Sequence, residues 1–515
     1  MSDTVKFEKI YLGTPDGETE AQNQKFEELF CDVNNKYSEI INSREKFMII
    51  GSKGSGKTYL ANYICKKAKP NQRCKIIKSQ DFLLDRLMNI DPSQNESSGY
   101  IYALCRWFIL DKIAKYIIKL HPLKAKYIKF TALNKLYRFT QIYENDSEYK
   151  NIKSTRTDFS EKEKARSLEG SADLKKASSD LGVGRGSSKK KTRGTSITIE
   201  AEKKRFYELL TPFENKVFKA LSKKDDIILI FDDLDELDKS IVNKPSDNDI
   251  IINLIKIAKT YNNDFIENSI NLRIILLLRT DILSKLQMYD TNLSKIKTSC
   301  GVELYWLTND ASAPEQHPLM KMILHKIKTY SNSLSKYSYK DLYAMLFPEK
   351  IEGKTALDYL LDYSFGRPRD IVTYLNHVIV QYPNNSSFNA ISLKETRKLY
   401  SSDFYDELIN QAYFHKSPQY TQDCMNLISG LKKISFFYED VKVFYKENKQ
   451  AYPNIKNLND ALSFLYRIGV IGNVWKDDKN KTYSSWSYRK DSMDDVDLTK
   501  KFTIHYALRK KFSIQ

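Results

Sequence analysis

Short apolar runs separated by longer stretches with helical spacing mark the first three hundred positions. Phe47-Met48-Ile49-Ile50 and Ile227 to Phe231 are continuously apolar, and "LRIILLLRTDIL" contains a third such run. Uniform hydrophobicity over so few residues predicts central parallel strands covered on both faces. "RCKIIKSQDF" predicts a further strand over Cys74 to Lys78. Between these runs, Tyr59 to Lys67, Gly99 to Leu120 and Ile250 to Tyr261 have helical periodicity. Apolar residues cover more than half the circumference of the second, which predicts burial between other elements. Strands alternating with helices predict an α/β fold: a parallel sheet with helices on both faces and its ligand site at the strand carboxyl ends.

Beyond Trp306 the strand pattern fades. "PEQHPLMKMILHKIKTYS" and "TALDYLLDYSFGRPRDIVTYLNHVIVQY" predict an all-α lid. In the tail, Asn459 is the expected cap of a helix running to Arg467. Val470 to Trp475 and Thr482 to Tyr488 then predict two strands around "KDDKNK", the outline of a winged helix. The expected organisation is therefore a lead-in over 1–46, a core over 47–310, a helical lid over 311–400 and a winged-helix-like domain over 401–515. Within the core, about 150–200 is polar and charged, and such a stretch cannot offset its own ordering entropy.

Length, charge and cysteine usage narrow the function. A chain of 515 residues with 41% hydrophobic positions should form roughly two to four domains. No apolar run reaches the roughly 18 residues that span a bilayer, so no membrane role is expected. The start "MSDTVKFEKIYLG" lacks the basic beginning and apolar stretch of a signal peptide. Six cysteines without a C-x-x-C pair argue against a zinc ribbon or a disulfide framework and suit a reducing cytoplasm. The net charge of +18 has two readings. One is contact with nucleic acid; the other is a compositional bias towards Lys, Asn, Ile, Tyr and Phe. Two clusters bear on the choice, the first also readable as a solvated flexible loop and the second as a protein-docking face. "GRGSSKKKTRG" carries Arg185, Lys189, Lys190, Lys191 and Arg193 in the insertion; in the tail, Trp475, Trp486, Tyr488 and Arg489 interleave with Lys476, Lys479 and Lys481.

The sharpest chemical signal is "FMIIGSKGSGKTYLANYI". Gly51, Gly56, Lys57 and Thr58 match G-x-x-x-x-G-K-[ST] between a strand and a helix, a turn whose inward N–H groups and helix dipole cradle phosphates. Ser52, Lys53, Gly54, Ser55 and Tyr59 complete the candidate cradle. Lys57 is expected to reach the β- and γ-phosphates of ATP, and the Thr58 hydroxyl to ligate Mg²⁺. The acids at the end of "IILIFDDLDEL" supply the counterpart: Asp232 holds the metal and Asp233 orients or deprotonates the attacking water. Asp235, Glu236 and Asp238 are expected to face solvent or cap the next helix. Arg279, Arg367 and Arg369 are candidate phosphate contacts; the alternatives are surface pairs with Asp281 or Asp370.

With these pieces in order the chain resembles the STAND and AAA+-like branches of the P-loop ATPases, the stand-alone bacterial kind met in antiphage-defence and mobile-element settings. The resemblance runs through "YLGTPDGETE", "GSKGSGKT", "IILIFDDLDEL", "IILLLRTDI" and "GRPRD" to "LYRIGVIGNVW" and "FTIHYALRKKF". It implies Walker A roles for Lys57 and Thr58, Walker B roles for Asp232 and Asp233, and a sensor-1-like place for Arg279. That position is more usually polar and uncharged. Gly366, Arg367 and Pro368 resemble the G-x-P element of STAND proteins, whose proline lies near the adenine; read as AAA+, Arg369 would be the sensor-2 arginine. No arginine finger and no effector module is recognisable. The resemblance thus implies a separately encoded effector, nucleic-acid contact through the insertion and the winged helix, and a homo-oligomer as expected partners.

Overall fold

Five parallel strands build the central sheet: β1 (Met48–Gly51), β2 (Gln72–Ile77), β3 (Asp226–Phe231), β4 (Leu272–Arg279) and β5 (Gly301–Leu304), in the order β2-β3-β4-β1-β5. The structure, a computed structural model, describes residues 5–78, 98–148, 206–234, 246–308, 313–493 and 495–514. The basic cluster of the insertion and the acids Asp235, Glu236 and Asp238 lie outside the described residues. β5 escapes the sequence pattern because it is a four-residue edge strand with alternating burial, too short to show a period.

Helices of this region, in chain order, are α1 (Gly17–Ala21), α2 (Phe26–Leu29), α3 (Lys36–Asn42), α4 (Lys57–Lys66), α5 (Ser98–Leu120), α6 (Pro122–Tyr127), α7 (Ala132–Glu148), α8 (Phe206–Ala220), α9 (Ser246–Glu267), α10 (Thr280–Gln287) and α11 (Asn292–Cys300). Strand periodicity divides the sheet between two cores. Ile49, Ile228, Ile230, Ile275 and Leu277 face α3 and α4. Met48, Leu229, Ile274 and Leu276 face α5, α8 and α9. Every residue of β4 is buried, and each fully buried Leu or Ile contributes roughly 1.5–3 kcal/mol. The buried Arg273 within β4 donates to the carbonyls of Ile40 and Ser43 at 2.5 and 2.8 Å. It therefore pins the chain just before β1.

The lid comprises α12 (Pro318–Tyr330), α13 (Tyr339–Leu346), α14 (Ala356–Asp362), α15 (Pro368–Gln381) and α16 (Ala390–Ala412). Ser338, Thr355 and Asn389 cap the starts of α13, α14 and α16 by accepting from Asp341, Asp358 and Ser392 backbone N–H groups. α16 runs unbroken through the boundary expected near 400. The tail adds α17 (Pro418–Gly430), β6 (Ser435–Phe436), α18 (Tyr438–Glu447), α19 (Leu458–Arg467), β7 (Ile471–Lys476), β8 (Thr482–Ser485), β9 (Lys501–Ile504) and α20 (Tyr506–Arg509).

The tail departs from its sequence pattern in three ways. Its sheet is antiparallel and four-stranded, ordered β6-β9-β7-β8, because β9 returns to pair with both β6 and β7. The cap of α19 is Asn457, whose side chain accepts from the Asn459 N–H, so Asn459 is already inside the helix. Trp486 and Tyr488 lie beyond β8 and turn inward: Trp486 is buried, and Tyr488 packs 4.8 Å from Phe365 of the lid. Lid and tail consequently share one core, which includes Tyr374, Phe404, Leu465 and Ile504 and also takes in Phe7 and Leu12 of the lead-in.

A disulfide joins Cys65 and Cys74, against the expectation from scattered cysteines. The reason is tertiary: the last turn of α4 lies beside β2, which brings the two Cα atoms within 5.0 Å. Among the described residues no helix is long and apolar enough to cross a membrane.

Candidate functional site

The loop between β1 and α4 is shaped by its glycines. Gly56 sits at φ +95° as the residue before α4, and Gly54 at φ +82°, a region that side-chain-bearing residues rarely adopt. A Cβ on Gly54 would also stand 3.0 Å from the Arg369 Cβ, so the lid packs directly on the loop. Lys57 Nζ donates to the Gly51 and Ser52 carbonyls at 3.0 Å each, curling over the loop. Gly51 and Ser52 thus hold the lysine, whereas Lys53, Gly54, Ser55, Gly56, Lys57, Thr58 and Tyr59 line a cavity of about 580 Å³.

Asp232 stands at the carboxyl end of β3, where parallel pairing delivers its side chain beside the start of α4. Thr58 Oγ1 donates to Asp232 Oδ2 at 2.8 Å, joining residues 174 positions apart. Asp233 follows in the left-handed region, φ +57°, with its N–H on Asp232 Oδ1 at 2.8 Å. That turn sets the two carboxylates apart on the cavity wall. Lys78, at the end of β2, pairs with Glu18 of the lead-in, and this hydrogen bond raises its pKa, aided by the nearby Asp233 and Asp232.

The three arginines have different fates. Arg279 lines the cavity and is buried, held by Asp281 at 3.1 and 2.6 Å, with its guanidinium 5.0 Å from the Phe414 ring centre. His415 reaches the same Asp281 carboxylate at 2.9 Å. Burial would raise the Asp281 pKa, but the His415 bond and the Arg279 charge outweigh it and hold the carboxyl well below its usual range. Arg367 is not a cavity residue. Its guanidinium is buried against Asp370, with three contacts of 2.7 to 3.1 Å from Nε and Nη2, and its Nη1 donates to the Lys53 carbonyl at 2.9 Å. It braces the phosphate loop through that carbonyl, and is not among the residues that line the cavity. Pro368 and Arg369 do line the cavity. Arg369 donates its backbone N–H to the Gly54 carbonyl, its Nε to the Pro15 carbonyl at 3.2 Å and its Nη1 to Glu407 at 2.9 Å.

Several cavity features were not singled out from sequence. Trp306 donates its indole N–H to the Ser55 carbonyl at 2.8 Å. Glu407 lies 3.1 Å from Lys53 as well as on Arg369; burial pushes its pKa up, but Lys53 and Arg369 outweigh this and lower it. The lead-in supplies Asp16, Phe30 and Cys31 to the wall, and the lid supplies Met322 and Lys326. Tyr59 stacks on Phe30 at 5.6 Å, beneath the Lys326 ammonium at 5.0 Å. Lys326 is buried and paired with buried Glu20 at 2.8 Å. The Ser55 and Tyr59 hydroxyls are buried without a hydrogen-bond partner. Only Trp306 and Lys326 could have been suspected, as a lone tryptophan after the last core strand and a lysine on an apolar helix.

The parallel sheet with helices on both faces, the glycine loop between β1 and α4, and Asp232 against Thr58 are consistent with the P-loop NTPase fold. Among comparisons with known proteins, residues 317–409, from the start of the lid into α16, match the model of the FunZ-associated C-terminal helical domain. A solved structure, the Walker-type ATPase PABY2304 of Pyrococcus abyssi, is 11% identical and is matched over 92% of this chain and 94% of its own. The TM-score is 0.32, at which the likeness carries no argument. No curated protein matches the chain.

Proposed function

We propose that the chain binds and hydrolyses ATP in the cavity between sheet and lid, as a molecular switch. The observation that carries this reading is the 2.8 Å bond between Thr58 and Asp232, at the start of the helix that follows the glycine loop. A hydroxyl and a carboxylate so placed are hard oxygen donors that suit Mg²⁺. Ser55 and Tyr59 line the same cavity, and their buried hydroxyls lack a hydrogen-bond partner within the protein. Bound Mg²⁺ would neutralise charge that develops on the phosphates. Thr58 and Asp232 would hold it, Lys57 would leave the loop carbonyls for the phosphates, and Asp233 would orient the attacking water. Arg279 and Arg369 face the same space, and Pro368 and Tyr59 stand where a base would be walled in.

The strand order, with β4 between β1 and β3, supports placing the chain in the STAND/AAA+-like (ASCE) group. Arg369, with a foot on the loop and another on α16, supports a lid that responds to the γ-phosphate. Sensing of phage or foreign DNA in the cytoplasm, with a separately encoded effector and self-association, is the biological role we propose. The succession of α17, β6, α18, α19 and the β7–β8 hairpin favours a second reading, a winged helix in a DNA-binding initiator or loader. Calorimetry with Mg-ATP tests the central claim. Micromolar uptake by the wild type, lost in Lys57→Ala, is expected; no uptake of any Mg-nucleoside triphosphate would refute it.

A further inference from the structure

The pairing of aromatic and basic side chains expected in the tail is found elsewhere on the surface. Along α6 and the turn before α7 the chain presents Leu123, Tyr127, Ile128 and Phe130 to solvent, with Phe130 86% exposed. Lys124, Lys126 and Lys129 alternate with them. Phe130 adopts φ +64°, a strained conformation for an aromatic residue that turns its ring outward rather than into the core. It forms one wall of a groove of about 460 Å³ between α7 and α8, whose other walls include Lys135, Pro212, Asn215, Lys216 and Lys219. Among the described residues no acid lines this groove. Among the described residues none of Lys124, Lys126, Lys129, Lys135 and Lys219 forms an ion pair, although lysines elsewhere on the molecule commonly do.

We propose that this groove binds single-stranded nucleic acid, with a base stacked on Phe130, the Asn215 amide on a base edge, and Lys135 and Lys219 on the backbone phosphates. Aromatic faces beside a lysine-lined groove are how strands are held without a sequence requirement. The concavity and the amide favour a base over a flat lipid surface. A second copy of this chain would set lysine against lysine. The chain's own insertion, residues 149–205, has sixteen basic and eight acidic residues and so the wrong sign. The groove is separate from the cavity at Thr58 and Asp232, and this inference does not depend on ATP hydrolysis.

The test is fluorescence anisotropy of the full chain with a labelled oligothymidylate of about 20 nucleotides at about 50 mM salt. Phe130→Gly removes the ring at a backbone angle that glycine adopts freely, and it should weaken binding roughly tenfold. Lys135→Glu with Lys219→Glu should weaken it further and flatten the salt dependence by roughly one to two units of slope. Both variants should keep the wild-type circular-dichroism spectrum and urea-unfolding midpoint, which establishes that they are folded. Ultraviolet cross-links should fall within residues 123–135. The proposal fails if the oligonucleotide does not bind, or if it binds the variants as tightly as the wild type. It also fails if cross-links fall only elsewhere, or if the substitutions abolish binding to phosphatidylserine vesicles or an acidic peptide while leaving oligonucleotide binding intact.

Discussion

Glu407 accepts a hydrogen bond from the Arg369 guanidinium at 2.9 Å, and the same carboxylate oxygen lies 3.1 Å from the Lys53 ammonium. One acid of α16 thus ties the lid arginine to the phosphate loop and occupies two cations that a polyphosphate would attract.

Glu407→Gln should therefore tighten Mg-ATP binding. The negative charge that holds Lys53 and Arg369 disappears while the side chain keeps its shape, and the gain should be about 1 kcal/mol, roughly fivefold in Kd. Isothermal titration reads this directly. Weaker binding would mean that Glu407 serves chiefly to order Lys53 and Arg369.

Asp232 and Asp233 should separate when each is changed alone. Asp232→Ala removes the partner of Thr58, so the Mg²⁺ dependence of nucleotide binding should be largely lost. Asp233→Asn should leave binding within about twofold and slow phosphate release by roughly 10²–10⁴-fold, the usual worth of a positioned base. Equal release by wild type and Asp233→Asn would favour a scaffold that binds nucleotide without turning it over.

The Lys326–Glu20 pair under the lid should be more costly to halve than to delete. Lys326→Met leaves Glu20 buried with only the Tyr11 hydroxyl and the Thr14 N–H, and should destabilise the fold by about 3–5 kcal/mol. Adding Glu20→Gln should recover much of that loss. Denaturant melts of the two variants decide the point, and equal stability would show that the pair contributes little.

His505 should make the fold acid-sensitive. Its ring is buried among Phe365, Phe404 and Trp486. Burial, reinforced by the charges of Arg509, Arg489 and Arg367, pushes its pKa down to about 3. The unfolded value is about 6.5. The unfolded chain therefore takes up the proton first, and stability present above pH 6.5 falls as the pH drops towards 3, by at most about 1.4 kcal/mol per unit. His505→Asn keeps an acceptor for the Ala507 N–H and should flatten that slope in urea melts recorded from about pH 7 to pH 4. An unchanged slope would assign the acid sensitivity to other groups.

Local patterns carried the chemistry of the loop and the strands behind it. Glycine spacing, a lysine and a threonine at a helix start, and apolar runs of strand length are all decided by neighbours within a few positions, so β1, β3, β4 and the glycine turn between β1 and α4 were legible. Position in the fold decided the rest. Whether Arg367 or Arg369 meets the cavity depends on Asp370 and Glu407, and Glu407 lies 38 residues from Arg369 in the chain. Trp486 and Tyr488 read as a binding wing by composition, yet Tyr488 packs on Phe365 of the lid and Trp486 is buried inside the tail beside His505, because burying their rings stabilises more than exposing them does. Cys65 and Cys74 pair because α4 folds back along β2. A one-dimensional pattern records what each residue prefers, while contacts across the chain depend on which buried surfaces come together, and only the packed structure holds that information.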